Sequence, residues 1–147
     1  MKNIARLIVA ISVFLASASF ISCEDAIITA EKLPAAARAF IEEYFPETAV
    51  SYVKKDKELT KTTYEVVLQD GTEMEFNGKG QWDNVDCKNR AVPAALIPTA
   101  ITEYVNTNFP GQVIVKIDKE LHGYEIELSS DLDLKFDKDG KLIKVDD

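Results

Sequence analysis

His122 is the one histidine of the chain, and it stands between Leu121 and Gly123 with no serine or cysteine in a nucleophile-elbow context anywhere else. A serine or cysteine nucleophile needs a base within hydrogen-bond reach. Acyl-transfer chemistry is therefore not expected, and His122 reads as a solvent-facing loop residue. Zinc wants several Cys or His ligands, which one histidine and two cysteines cannot supply after export. Asp137, Asp139 and Gly140 share part of the spacing of a calcium loop, with Asp146 near the closing position. The first ligand position would fall on Lys135 and the flanks alternate as strands do, so a plain hairpin turn is expected there and no metal site. Glycine-rich phosphate loops are absent.

Paired carboxylates could do acid/base work, and Glu65, Glu73, Glu75, Glu125 and Glu127 are candidates by number. Each alternates with an apolar neighbour, which places it on the solvated face of a half-buried sheet, where carboxyl groups keep ordinary pKa values. The expectation is a protein with no catalytic residues and no cofactor, and not an enzyme. Charge narrows the partners. The chain carries 17 Lys+Arg against 25 Asp+Glu, and removing residues 1–22 takes Lys2 and Arg6 and no acid. A nucleic-acid partner requires a basic stripe, and none is present; the acidic balance favours solubility or a basic protein or peptide.

Lys2 and Arg6 precede an uncharged apolar run from Leu7 to Ile21 that ends at Cys23. That is a signal peptide over residues 1–22, too short and too rich in Ser and Ala to be a comfortable bilayer span of about 20 residues. Ser22 directly before Cys23 resembles a bacterial lipoprotein cleavage box, although Phe20 stands where leucine is usual. Glu24 and Asp25 resemble an acidic export tag of surface lipoproteins. The expectation is an exported, outer-membrane-anchored lipoprotein facing periplasm or cell surface, lipidated at Cys23 and touching membrane only through that anchor. A plain soluble export product is the alternative. Lipidation leaves Cys87 alone as a structural thiol, whereas a Cys23 to Cys87 bridge would exclude the free thiol.

Two copies of one pattern must position whatever these residues do. Leu33-Pro34 matches Ile97-Pro98, Phe40-Ile41 matches Tyr104-Val105, and Phe45-Pro46 matches Phe109-Pro110 at a constant offset. After a gap, Tyr64-Glu65-Val66 matches Tyr124-Glu125-Ile126, Met74-Glu75-Phe76 matches Leu134-Lys135-Phe136, Gly80 matches Gly140, and Val85-Asp86 matches Val145-Asp146. In each copy a proline opens a helix whose apolar stripe recurs at three and four, and a second proline stops it. Thr29 and Pro93 start a short preceding turn. Period-two alternation then predicts strands at 49–55, 62–68, 73–76 and 81–86, and at 113–119, 123–128, 132–136 and 141–145. Asp70-Gly71, Gly78-Lys79-Gly80 and Asp139-Gly140 are the hairpin turns between them. Units of this size are marginal alone, so residues 23–87 and 88–147 are expected to share one core or one sheet. The fold class is α+β: two tandem units of a helix plus four antiparallel strands, forming one concave sheet with the helices on one face.

This pattern resembles the PepSY-like family of exported bacterial proteins described as having a beta-lactamase-inhibitor-like fold. The resemblance rests on the doubled Leu33-Pro34 to Phe45-Pro46 stretch, on Tyr64-Glu65-Val66, Asp70-Gly71-Thr72-Glu73 and Gly80-x-Trp82, and on Phe136 through Leu142. It implies a concave sheet and no established activity, because the inhibitor name describes a fold.

Taking Tyr64, Val66, Leu68, Met74 and Phe76 with their copies as the core face, residues of opposite parity point outward. By that parity Val113, Val115, Ile117, Ile143 and Val145 point inward, while Tyr52, Trp82 and Leu142 join Glu65, Val67 and Glu75 outside, with Glu125 and Glu127 on the same face. Aromatics among carboxylates make a recognition patch, so the expected binding residues are Tyr52, Glu65, Glu75, Trp82, Glu125 and Glu127; the competing reading has Trp82 and Tyr52 merely covering strand edges. The expected function is a non-enzymatic cell-envelope binding module that offers its sheet to a protein or peptide partner, as an inhibitor or accessory of a secreted enzyme. The alternative is a small-molecule carrier with an apolar cavity between helices and sheet, for which the alanines at 35, 36, 37 and 39 could leave space.

Overall fold

The computed structural model describes residues 25–146. The expected signal peptide and Cys23 lie outside them, and with them lipidation and any Cys23 to Cys87 bridge.

Two ten-residue helices, α1 (Ala35–Tyr44) and α2 (Thr99–Asn108), each begin directly after a proline, Pro34 or Pro98. Proline suits a helix start because its fixed φ fits and its missing N–H would have no partner there. Each helix ends two residues before another proline, Pro46 or Pro110, which holds the intervening Phe45 or Phe109 out of the helical region. A short 3-10 turn precedes each, at Ala30–Lys32 and Ala94–Leu96, as the sequence predicts.

The strands are β1 (Ala26–Ile28), β2 (Val50–Lys57), β3 (Thr62–Leu68), β4 (Glu73–Asn77), β5 (Trp82–Asp86), β6 (Ile114–Glu120), β7 (Gly123–Leu128), β8 (Asp133–Asp137) and β9 (Leu142–Asp146). They form one open antiparallel sheet of nine strands in chain order. The fold is α+β. β5 pairs with β6 across the linker, so the sheet does not break between residues 86 and 114. β1 is an addition to the expected strands; it pairs with β2 from Ala26 to Ile28.

One row of apolar residues crosses the sheet as successive cross-strand neighbours: Val53, Val66, Met74, Val85, Ile117, Ile126, Leu134 and Val145. Both helices pack on this face. The rings of Phe40 and Phe76 meet edge-on with centroids 5.5 Å apart, and those of Tyr104 and Phe136 do so at the same 5.5 Å. Burying a side chain of that size contributes about 1.5 to 3 kcal/mol. The turns before β5 and β9 tuck under the helix starts: a Cβ on Gly80 would lie 2.8 Å from that of Pro34, and one on Gly140 would lie 2.7 Å from that of Ala100. Both glycines also hold positive φ, +80° and +78°, so each position excludes a side chain twice over.

The outward placement of Trp82 and Leu142 is overturned. A bulge between Glu75 and Phe76 leaves Asp83 without a partner and sets Trp82 opposite Phe76. The same bulge between Lys135 and Phe136 sets Leu142 opposite Phe136 and leaves Ile143 unpaired. Because one inserted residue moves every following side chain to the other face, Trp82 and Leu142 pack against the core instead. Ile143, expected inward, is 65% exposed, and Val113 and Val145 are also exposed. A third bulge, between Ile114 and Lys116, brings Ile114 into the core in place of Val113. Ile117 is buried in the core as expected; Val115, left unpaired by that bulge, is buried outside the core, beside the depression lined by Asp86, Lys88 and Glu127.

Candidate functional site

The face of the sheet opposite the helices is built from two charged rows. In one, Lys54, Glu65, Glu75, Asn84, Asp118, Glu125, Lys135 and Lys144 are successive cross-strand neighbours. In the other, Tyr52, Val67, Glu73, Asp86, Lys116, Glu127, Asp133 and Asp146 follow one another. Alternation forces this: the apolar partners of these residues are claimed by the core, and a carboxylate cannot be buried beside them at acceptable cost. The two rows hold nine carboxylates against four lysines, so the face is acidic.

Ion pairing is uneven across it. Lys116 pairs with Asp118 at 3.1 Å, Lys135 with Glu125 at 2.9 Å, and Lys88 reaches both Glu73 at 2.9 Å and Asp86 at 2.8 Å. Asn84 donates to Asp118. Lys54 turns to Asp25, just before β1, at 3.1 Å. Among the described residues no lysine or arginine bridges Glu65, Glu75, Glu127 or Asp133. These four form two directly opposed like-charge pairs, Glu65 with Glu75 and Glu127 with Asp133, an arrangement that costs stability unless a cation covers it. Burial raises the Glu127 carboxyl above the usual range, and Asp133 opposite it pushes the same way. That departs from the ordinary behaviour expected for it.

One shallow depression lies at the pair of Glu65 and Glu75, and another reaches Glu127 but not Asp133. The first, about 190 Å³, is lined by Lys54, Asp56, Lys61, Thr63, Glu65 and Glu75. The other, about 310 Å³, lies between Asp86, Lys88, Glu127 and Asp131. Tyr52 begins the second row; it is exposed, and its hydroxyl donates to Glu65 Oε1 in the first row at 3.2 Å. Of the expected binding residues, Tyr52, Glu65, Glu75, Glu125 and Glu127 thus share one face, and Trp82 lies on the other. There its ring centroid is 6.1 Å from that of Phe40, and Lys119 Nζ lies 3.5 Å above it. Asp133 was missed, although the alternation of Asp133-Leu134-Lys135-Phe136 carries it to the outside.

The remaining chemistry is structural. His122 lies exposed in the turn between β6 and β7. Asp137 Oδ1 accepts from the N–H groups of Asp139 and Lys141 at 3.0 and 2.9 Å. Asn77, an uncharged residue, does the same for Lys79 and Gln81 in the corresponding turn, so the Asp137 loop is a hairpin device. No group of three or more metal-ligating side chains occurs among the described residues. Cys87 is buried, and burial pushes its thiol up to about 11, far from a reactive thiolate. It lines a surface groove of about 570 Å³ with Tyr44, Phe45, Pro46, Asp70, Thr72, Arg90 and Pro93. The Arg90 guanidinium there is already engaged, by Asp70 at 2.8 Å and by Thr72 Oγ1 at 2.7 Å. No helix among the described residues is long and apolar enough to cross a membrane.

Residues 62–144 match the family model described as beta-lactamase-inhibitor-like, PepSY-like. Three solved structures are similar over 84% of this chain. One, provisionally described as a periplasmic protein of unknown function from Bacteroides vulgatus, is 43% identical with a TM-score of 0.81 and is covered over its whole length, 100%. A second from Bacteroides vulgatus, also provisionally described as periplasmic, is 37% identical with a TM-score of 0.80 and is covered over 98%. The third, from Bacteroides thetaiotaomicron, carries the provisional description of a calcium-regulated periplasmic protein; it is 38% identical with a TM-score of 0.80 and is covered over 97%. No curated protein matches the sequence.

Proposed function

The chain belongs to the PepSY-like family, and we propose that it is a non-enzymatic binding module of the cell envelope, which receives a basic protein or peptide on its open sheet face. The observation that carries this reading is the two directly opposed carboxylate pairs, Glu65 with Glu75 and Glu127 with Asp133, none of them held in an ion pair among the described residues, because Lys54 opposite Glu65 and Lys116 opposite Glu127 pair with Asp25 and Asp118 instead. A partner's lysine or arginine placed there relieves a like-charge repulsion and gains a charge-assisted hydrogen bond in the same step. Tyr52 adds apolar contact at the rim, and Glu125 adds attraction. The periplasmic descriptions of the similar structures agree with export, and anchoring through a lipid on Cys23 would hold this face near envelope proteins.

A carrier of small molecules would need space between helices and sheet. Ala37, Phe40 and Phe76 are buried in contact there, while Ala35, Ala36 and Ala39 are exposed and so line no such space. The groove beside Cys87 lies at the surface instead.

The test is affinity capture from envelope extracts with the mature chain as bait, followed by binding of the purified captured protein to a variant with Glu65, Glu75, Glu125 and Glu127 all changed to Gln. Loss of binding at low salt supports the reading. Unchanged binding by a folded variant refutes it.

A further inference from the structure

β9 is the last strand of the sheet, and its outer edge has no neighbour among the described residues. Under the two-copy reading of the chain, its counterpart is β5, since Val145-Asp146 repeats Val85-Asp86. The edge of β5 is taken by β6, with Asn84 opposite Asp118, Val85 opposite Ile117 and Asp86 opposite Lys116. The consequence is visible at one position: Val85 is 0% exposed, and Val145, its counterpart, is 43% exposed, beside Ile143 at 65%. An edge strand with uncovered apolar side chains and free N–H and C=O groups is a template for another strand.

The strand that would fit can be read from β6. β6 meets β5 with the triplet Lys116-Ile117-Asp118, whose end residues form an ion pair along the strand. A strand on β9 likewise needs a cation opposite Asp146, an apolar side chain opposite Val145 and an acid opposite Lys144. β9 itself carries Lys144-Val145-Asp146, and again the end residues form an ion pair along the strand. Run antiparallel against a second β9, that triplet is its own complement: Val145 faces Val145, and each Lys144 faces an Asp146.

We propose that two copies of this chain pair through their β9 edges, around a two-fold axis that passes beside Val145 perpendicular to the sheet. Such an axis extends the sheet from one copy into the other and keeps all four helices on one face, as an isologous contact requires. Both open acidic faces then point the same way, so the pairing presents the proposed binding surface twice while using none of its unpaired carboxylates. The other edge, β1, is three residues long with Ile27 exposed. Pairing of β9 with that edge would be head to tail and would grow beyond two copies. A five-residue edge buries far less than the roughly 1,000 Å² of a permanent interface, so the dimer is weak and reversible.

Sedimentation velocity over a concentration series tests this on the protein carrying Cys23→Ser to remove any lipid. The sedimentation coefficient should rise from monomer to dimer and stop there. Lys144→Asp and Asp146→Lys should each weaken dimerisation by about tenfold, since each puts like charges opposite one another at both symmetric contacts. An equimolar mixture of the two variants should recover the parent's association, because each then complements the other. A chain that stays monomeric, an association that continues past two copies, reversals without effect, or a mixture that fails to recover would each overturn the proposal.

Discussion

Lys119 Nζ lies 3.5 Å from the centroid of the Trp82 ring, so the end of β6 covers the aromatic that opens β5. Phe40 of α1 holds the ring from another side, at 6.1 Å. Trp82 therefore packs between α1 and β6, on the face away from the two charged rows. Burial of part of its side chain lowers the pKa of Lys119, and a cation over an indole at an exposed site gains about 0.5 to 1 kcal/mol.

Trp82→Ala should accordingly destabilise the fold by about 2 to 4 kcal/mol, toward the lower end for a half-buried aromatic, and leave partner binding by the folded fraction unchanged. Urea unfolding followed by circular dichroism measures the first. As the chain has one tryptophan, its native emission should also be blue-shifted and move red on unfolding. Emission of a fully hydrated indole in the native state would contradict the placement.

Phe76 and Phe136 lie at 0% and 1% exposure beneath equivalent helix aromatics. Truncating either to alanine should cost about 3 to 5 kcal/mol, a large part of the stability of a small domain. Comparable losses at the two sites, measured by chemical denaturation, are expected from their matching geometry.

Glu127 gives a pH signature. Burial raises its carboxyl pKa in the folded state, so the folded chain binds that proton more readily than the unfolded one. The penalty is absent below the unfolded pKa and fully present above the folded one. Glu127→Gln should raise stability by about 0.5 kcal/mol at neutral pH, and the gain should vanish as pH falls below the ordinary carboxylate range. Thermal melts at the two pH values check the sign.

Cys23 at the end of the apolar run predicts acylation. Intact mass of the protein from a native-type host should show the lipid, and Cys23→Ala should move the protein out of the membrane fraction. An unmodified soluble product would count against the anchor.

Long, regular alternation was readable from the residues alone. The spans of β3 and β7 match the predicted ones, and Glu65, Glu75, Glu125 and Glu127 fall on the open face because the extra residue of each neighbouring bulge lies in the adjoining strand, not in β3, β4 or β7. Parity failed where a single inserted residue intervened: Asp83 and Ile143 sit in bulges with no local sequence mark, and each reverses the strand residue before it. β1 was missed because three residues are too few to show alternation. The site was legible as far as it depends on alternation, and the pairing of Glu127 with Asp133 was not, because register across a hairpin needs the turn as well as the strands.

The proposed function turns on which face of the sheet would meet a partner. Photo-crosslinking in intact envelopes can decide it without knowing the partner, with a benzophenone amino acid placed at position 75 or 127 on the sheet, or at position 42 or 103 on the exposed sides of the helices. The prediction is a discrete adduct from the sheet positions that fades as salt rises, and none from the helix positions. Adducts from positions 42 or 103 with none from 75 and 127 would contradict it.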